Sequence, residues 1–183
     1  EETKITYEPE GLYLKVDWEL TFSAKGLSQF SETDTVEVVY NFTLPEGAVV
    51  NDSWLWFDDS ILQALIIERW SASQVYENIV SRRRDPSILY KNGPTNYELR
   101  IFPMAAKESR KVKLSFLLPA NWTKKSVNVS FLSKKLLVSK HPIETIDVNA
   151  KLSPEWKNTS TPKENRLLVG MKFLKVVWLQ MPP

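Results

Sequence analysis

Cysteine is absent, and histidine occurs once, at position 141. These two gaps remove much of the chemistry that side chains can carry. Without cysteine there are no disulfides and no thiolate metal sites. With a single histidine, a zinc centre is short of ligands. A Ser-His-Asp relay would have to run through His141, which stands in Lys140-His141-Pro142, a loop pattern with no nucleophile-elbow glycines beside it. Glycine is also scarce, 5 residues spread singly, so no glycine-rich loop is present to cradle a phosphate. No apolar run reaches the roughly 18–20 residues of a membrane-spanning helix. An excess of charge is missing too: the net charge of +2 gives no reason to expect nucleic acid or an acidic membrane surface as the main partner. Asp58 and Asp59 are hard-cation donors in principle, but Asp58-Asp59-Ser60 also has the composition of a turn, which is the reading taken. No catalytic, cofactor-binding or metal-binding residue is assigned, and the chain is read as non-enzymatic. It opens on Glu1-Glu2, with neither Met nor a signal peptide, and is read as an excised or mature segment.

What is present is strand pattern. A hydrophobic fraction of 43% with 25% charged residues is that of a folded chain, and 183 residues suffice for one substantial core or for one domain with an appendage. Leu12, Leu14, Val16, Trp18, Leu20 and Phe22 occupy every second position between polar neighbours, the mark of a strand with one wet face. Val36 to Leu44 repeats the alternation and ends at Pro45-Glu46-Gly47, a turn. Apolar runs at 54–57 and 61–67 flank Asp58-Asp59-Ser60 as in a hairpin. Alternation returns at Tyr97–Ile101, Val112–Leu118, Val127–Phe131, Ile146–Ala150 and Leu167–Phe173. No low-complexity linker follows residue 118.

One stretch breaks the period of two. Ala72, Val75, Tyr76, Ile79 and Val80 recur at three- and four-residue spacing, which predicts a helix with one apolar face. Ser71 and Gln74 form a capping-box pattern at its start. Asp85-Pro86 stops it near Arg84, because a proline disfavours helical backbone at the residue before it. The predicted helix therefore spans about 71–84.

The same stretch carries a resemblance. Ala72, Tyr76-Glu77, Ile79-Val80, Arg82 to Arg84, Asp85-Pro86 and Leu89 resemble the signature helix of the VIT domain (vault protein, inter-alpha-trypsin inhibitor heavy chain). Tyr40-Asn41-Phe42-Thr43-Leu44-Pro45-Glu46-Gly47-Ala48 resembles that family's strand and Phe-x-Leu-Pro-x-Gly-Ala turn. Leu99–Pro103 and Ser109–Phe116 resemble its later strand pair. The likeness covers about residues 12–118. Trp70 and Tyr90 depart from it, standing where members usually carry charged residues. The resemblance implies a mainly β fold, a β-sandwich of antiparallel strands with one α-helix (about 71–84) packed on it. Residues 1–118 would form the VIT-like domain and 119–183 a β-rich C-terminal extension on the same body. It implies a non-enzymatic protein-interaction or scaffolding module within a larger extracytoplasmic protein, secreted or membrane-tethered, with a protein partner. Any membrane association would come through segments outside this chain. Bacterial members linked to exosortase protein sorting are one such setting. The Asp-x-Ser-x-Ser metal motif of von Willebrand factor A domains, frequent neighbours of VIT domains, is absent.

Two features remain as a candidate interaction surface. Arg82, Arg83 and Arg84 suit a carboxylate-bearing partner or lipid phosphates; at a helix C-terminus they also simply complement the dipole. Among the 7 tryptophans, Trp18 and Trp178 read as core, whereas Trp54 and Trp56 share one strand face and Trp70 precedes the helix cap. Exposed, Trp54, Trp56 or Trp70 would serve a protein hot spot or, as the alternative, a carbohydrate-binding module. For Trp70 the favoured reading is a hydrophobic staple against Val75, because the cap pattern behind it is already in the sequence. Asn41, Asn51, Asn121, Asn128 and Asn158 each begin an Asn-x-Ser/Thr sequon.

Overall fold

A computed structural model of the chain describes residues 2–57, 60–63, 87–123, 127–128, 145–151 and 172–173. Its strands are β1 (Glu2–Glu10), β2 (Tyr13–Ser23), β3 (Thr35–Thr43), β4 (Val49–Phe57), β5 (Ser60–Gln63), β6 (Ser87–Lys91), β7 (Asn96–Ala105), β8 (Ser109–Pro119), β9 (Asn121–Trp122), β10 (Val127–Asn128), β11 (Thr145–Ala150) and β12 (Lys172–Phe173). The larger sheet has the order β12-β11-β1-β2-β8-β4-β5, the smaller β3-β7-β6, and β9 pairs with β10. The described chain is thus of the mainly β, sandwich-like class that the alternation and the resemblance imply. The predicted helix over 71–84 lies outside the described residues. The chain divides into two compact units, one of Glu1–Leu20, Gly47–Val50 and Leu114–Pro183, the other of Thr21–Glu46 and Asn51–Lys113.

In the first unit, β1 and β2 run antiparallel from Thr3↔Leu20 to Glu10↔Tyr13. Gly11, at a φ of +58°, lets the chain reverse within two residues, a backbone that side-chain-bearing residues rarely adopt. Because side chains alternate, Ile5, Tyr7, Leu14, Val16, Trp18 and Leu20 are buried, as are Leu114, Phe116 and Leu118 of β8. Trp18 and Phe116 are fully enclosed. Leu12, the first residue of the expected alternation, is instead 72% exposed, because it lies in the turn and not in β2. On the wet face the register sets Lys4 opposite Glu19 and Glu8 opposite Lys15; the buried Ser115 of β8 donates its hydroxyl to the Asp17 carboxylate. Beyond β1 comes β11, running parallel from Glu2↔Thr145 to Tyr7↔Ala150, with β12 parallel beside it.

In the second unit, β3 pairs antiparallel with β7 from Thr35↔Ala105 to Thr43↔Asn96, with a bulge between Val36 and Val38. β6 covers the other side of β7, from Ser87↔Ile101 to Lys91↔Tyr97. A run of rings joins these strands: Phe22–Tyr40, Tyr40–Phe42 and Phe42–Tyr97 have centroid separations of 5.4, 5.5 and 5.4 Å. Ala24, Val36, Met104 and Ala106 form a small buried cluster with Leu27 and Val38 against it. The loop before β3 is held by Asp34, whose carboxylate accepts from the Ser31 N–H and hydroxyl, both at 2.8 Å.

Candidate interaction surface

The sequence Val49-Val50-Asn51-Asp52-Ser53-Trp54-Leu55-Trp56-Phe57 alternates, and the alternation assigns its faces. Ser53 and Leu55 are buried, and Trp54 and Trp56 are half-buried on the opposite face. On β8, Arg110 and Val112 are buried while Lys111 and Lys113 are half-buried. The Lys113 Nζ lies 4.8 Å from the Trp54 ring centroid, and the Lys111 Nζ lies 4.9 Å from that of Trp56. One face of each indole is therefore already covered by an ammonium. At such half-exposed sites each contact contributes about 0.5–1 kcal/mol.

β5 continues the surface. Trp54 is in register with Gln63 and Trp56 with Ile61. Gln63 donates its side-chain amide to Asp52 Oδ2 at 2.8 Å, and Asp52 Oδ1 accepts the Ser53 N–H at 2.9 Å. Ile61 and Leu62 are 59% and 43% exposed. The result is two parallel rows, Lys113–Trp54–Gln63 and Lys111–Trp56–Ile61. Behind them Phe57 is capped by the buried Arg110, 4.6 Å from the ring centroid, whose charge is answered by Glu108 at 2.8 Å. A buried guanidinium without such a partner would be strongly destabilising. Half-exposed aromatic area, an amide and an exposed isoleucine thus lie together in one patch with two ammonium groups over the rings.

Of the residues singled out from the sequence, the structure brings Trp54 and Trp56 together. Trp70, Arg82, Arg83 and Arg84 lie outside the described residues, as do His141, Asp58 and Asp59. The lysines were missed by sequence reasoning. Their signal was there, since Arg110-Lys111-Val112-Lys113-Leu114 alternates and sends Lys111 and Lys113 to the wet face. Only the register shows that they meet the tryptophans. Among the described residues no three His, Asp or Glu side chains converge as a metal site would require, and no helix is long and apolar enough to cross a membrane.

The family model of the vault protein inter-alpha-trypsin domain matches residues 1–116. No curated protein matches the chain.

Proposed function

We propose, from the premise that the chain belongs to the VIT (vault protein inter-alpha-trypsin) domain family, that it works as a non-enzymatic protein-interaction or scaffolding module of a larger extracytoplasmic protein. VIT domains are interaction-type modules, are not a known catalytic family, and occur in secreted or membrane-tethered proteins. The observation that carries the reading is the match over residues 1–116, which takes in β1 to β7 and most of β8. Fold alone never fixes function, so the binding itself is assigned to side chains: Trp54 and Trp56 with Lys111, Lys113 and Ile61. The boundary proposed is a VIT-like domain over 1–118 and a β-rich extension over 119–183, which the pairing of β11 with β1 supports.

A carbohydrate-binding module would stack sugars on ring faces, and the lysines over Trp54 and Trp56 already take one face of each, which disfavours that alternative. The test is site-specific photo-crosslinking in the parent protein, with a benzophenone side chain at position 54 or 56. The expected result is one protein adduct that is competed away by the purified chain. Binding on a glycan array without any protein adduct would favour the carbohydrate reading. Turnover of ester, peptide or glycoside substrates by purified protein would overturn the non-enzymatic one.

A further inference from the structure

The outer edge of β1 is closed by a strand that the family match does not include. The match ends at residue 116, and β11 begins at Thr145. A sheet whose last strand was β1 would present a row of unpaired N–H and C=O groups, which is a template for another strand. β11 takes that place over six register pairs and is held at its end by the Lys151 N–H, which donates to the Tyr7 carbonyl at 2.7 Å.

Direction and register are written in charge. Lys4 and Glu8 stand four residues apart on the wet face of β1. In the parallel register Lys4 is opposite Asp147, an exposed residue, and the Lys151 Nζ meets Glu8 Oε2 at 2.9 Å. Run antiparallel over the same positions, the segment would bring its lysine to Lys4 and its aspartate to Glu8, like against like. On their other side Lys4 and Glu8 face Glu19 and Lys15 of β2, so each stands between two residues of opposite sign. Such charges contribute little stability on an exposed surface, but they discriminate between orientations by placing repulsion in the wrong one.

We infer that the outer edge of β1 is a strand-docking site, occupied in cis by β11, that also accepts in trans an extended partner segment running parallel to β1 with an acidic residue and, four positions later, a basic one. Recognition of this kind is strand addition, in which main-chain bonds supply affinity and alternate side chains supply specificity. The inference depends on the interaction-module reading for its purpose and on the geometry of β1 for its site. That site is separate from the Trp54–Trp56 patch, so the two are tested separately.

The experiment uses a fluorescein-labelled peptide copying residues 144–152 and the full chain. A tethered β11 competes at an effective concentration on the order of millimolar. Unsubstituted protein should therefore bind the peptide weakly. Asn149→Pro places a proline inside β11 at a position whose side chain is exposed, and it should raise apparent affinity at least about ten-fold, because apparent affinity scales with the fraction of protein in the open state. Lys151→Glu, a change at an exposed residue that leaves the rest of the unit untouched, should act in the same direction. A peptide carrying Asp147→Lys and Lys151→Glu should bind either variant several-fold more weakly than the native peptide and should regain affinity once the protein also carries Lys4→Glu and Glu8→Lys. Peptide affinities no higher for both variants than for the unsubstituted chain would overturn the inference. So would equal binding of the native and charge-reversed peptides. Neither result would bear on crosslinking from position 54 or 56.

Discussion

Replacing Phe42 tests whether the ring run is a structural spine of the second unit. Phe42 is 4% exposed and lies between Tyr40 and Tyr97, at centroid separations of 5.5 and 5.4 Å. It is also the direct cross-strand partner of Tyr97 in the pairing of β3 with β7. Phe42→Ala removes a buried ring and leaves a cavity, for which the usual cost is about 3–5 kcal/mol. Against a total stability of about 5–15 kcal/mol, that is a large share. At about 2–4 °C per kcal/mol for a chain of this size, the melting temperature should fall by about 6–20 °C. Area burial alone does not establish that the rings recognise one another, so the second arm is a double-mutant cycle of Phe42→Leu and Tyr97→Leu by urea unfolding. Paired aromatic rings contribute about 0.5–1.5 kcal/mol beyond their area, and the cycle should return a coupling of that size. A loss below about 1 kcal/mol for Phe42→Ala, or a coupling indistinguishable from zero, would refute the reasoning.

Three further outcomes are expected. Ser53 is 1% exposed and its hydroxyl has no hydrogen-bond partner among the described residues, so Ser53→Ala should leave stability unchanged or raise it by up to about 1 kcal/mol in urea titration; a clear loss would reveal a partner for that hydroxyl. Gly47 has a φ of +80°, and an added Cβ would lie 3.5 Å from the Pro119 Cγ, an ordinary contact. Gly47→Ala should therefore cost about 1–2 kcal/mol through its backbone alone, whereas Gly93→Ala, where φ is not positive, should be far milder. The Ser31 N–H and hydroxyl bonded to Asp34 hold its carboxyl below the ordinary value. A folded-state value that is depressed means the turn's contribution is present above the unfolded carboxyl pKa and lost as pH falls through the folded one. The Ser31 amide resonance should accordingly titrate below the ordinary range of an aspartate, and Asp34→Asn should abolish that titration.

Alternation made β2, β3, β7 and β8 legible because each has a buried face broad enough to impose a period of two. Val36 and Phe42 lie on the buried side of β3 as that period requires, and Leu44, just past its end, is buried too. It overshot at Leu12, where periodicity continues through a turn that Gly11 makes possible. It missed β1, in which Ile5 and Tyr7 are the only large apolar residues on the buried face, too short a pattern to separate from a polar terminus. The hairpin read from turn chemistry at Asp58-Asp59-Ser60 has its two strands in β4 and β5, but Ser60 is the first residue of β5, opposite Phe57, and not part of the turn. The six residues of β11 also alternate visibly, but their partner does not follow from them. A parallel pairing with β1, across more than a hundred residues, is a property of the assembled sheet and leaves no local trace.

The same limit governs the candidate surface and supplies its sharpest test. Trp54 and Trp56 were placed on one face from spacing alone, yet whether that face is a stacking platform depends on what lies over the rings. Lys111 and Lys113 come from another strand and reach the rings only because β8 lies beside β4 in the larger sheet. Removing them separates two readings that both use the tryptophans. If the rings serve a carbohydrate, Lys111→Ala with Lys113→Ala uncovers apolar faces and should strengthen glycan binding. If they serve a protein hot spot, the lysine stems and charges belong to the contact. Losing them should then reduce crosslinking from position 56 several-fold, with a fall in melting temperature of only about 2–8 °C, since half-exposed cation–ring contacts contribute about 0.5–1 kcal/mol each. Stronger glycan binding together with unchanged crosslinking would remove the interaction reading from this surface.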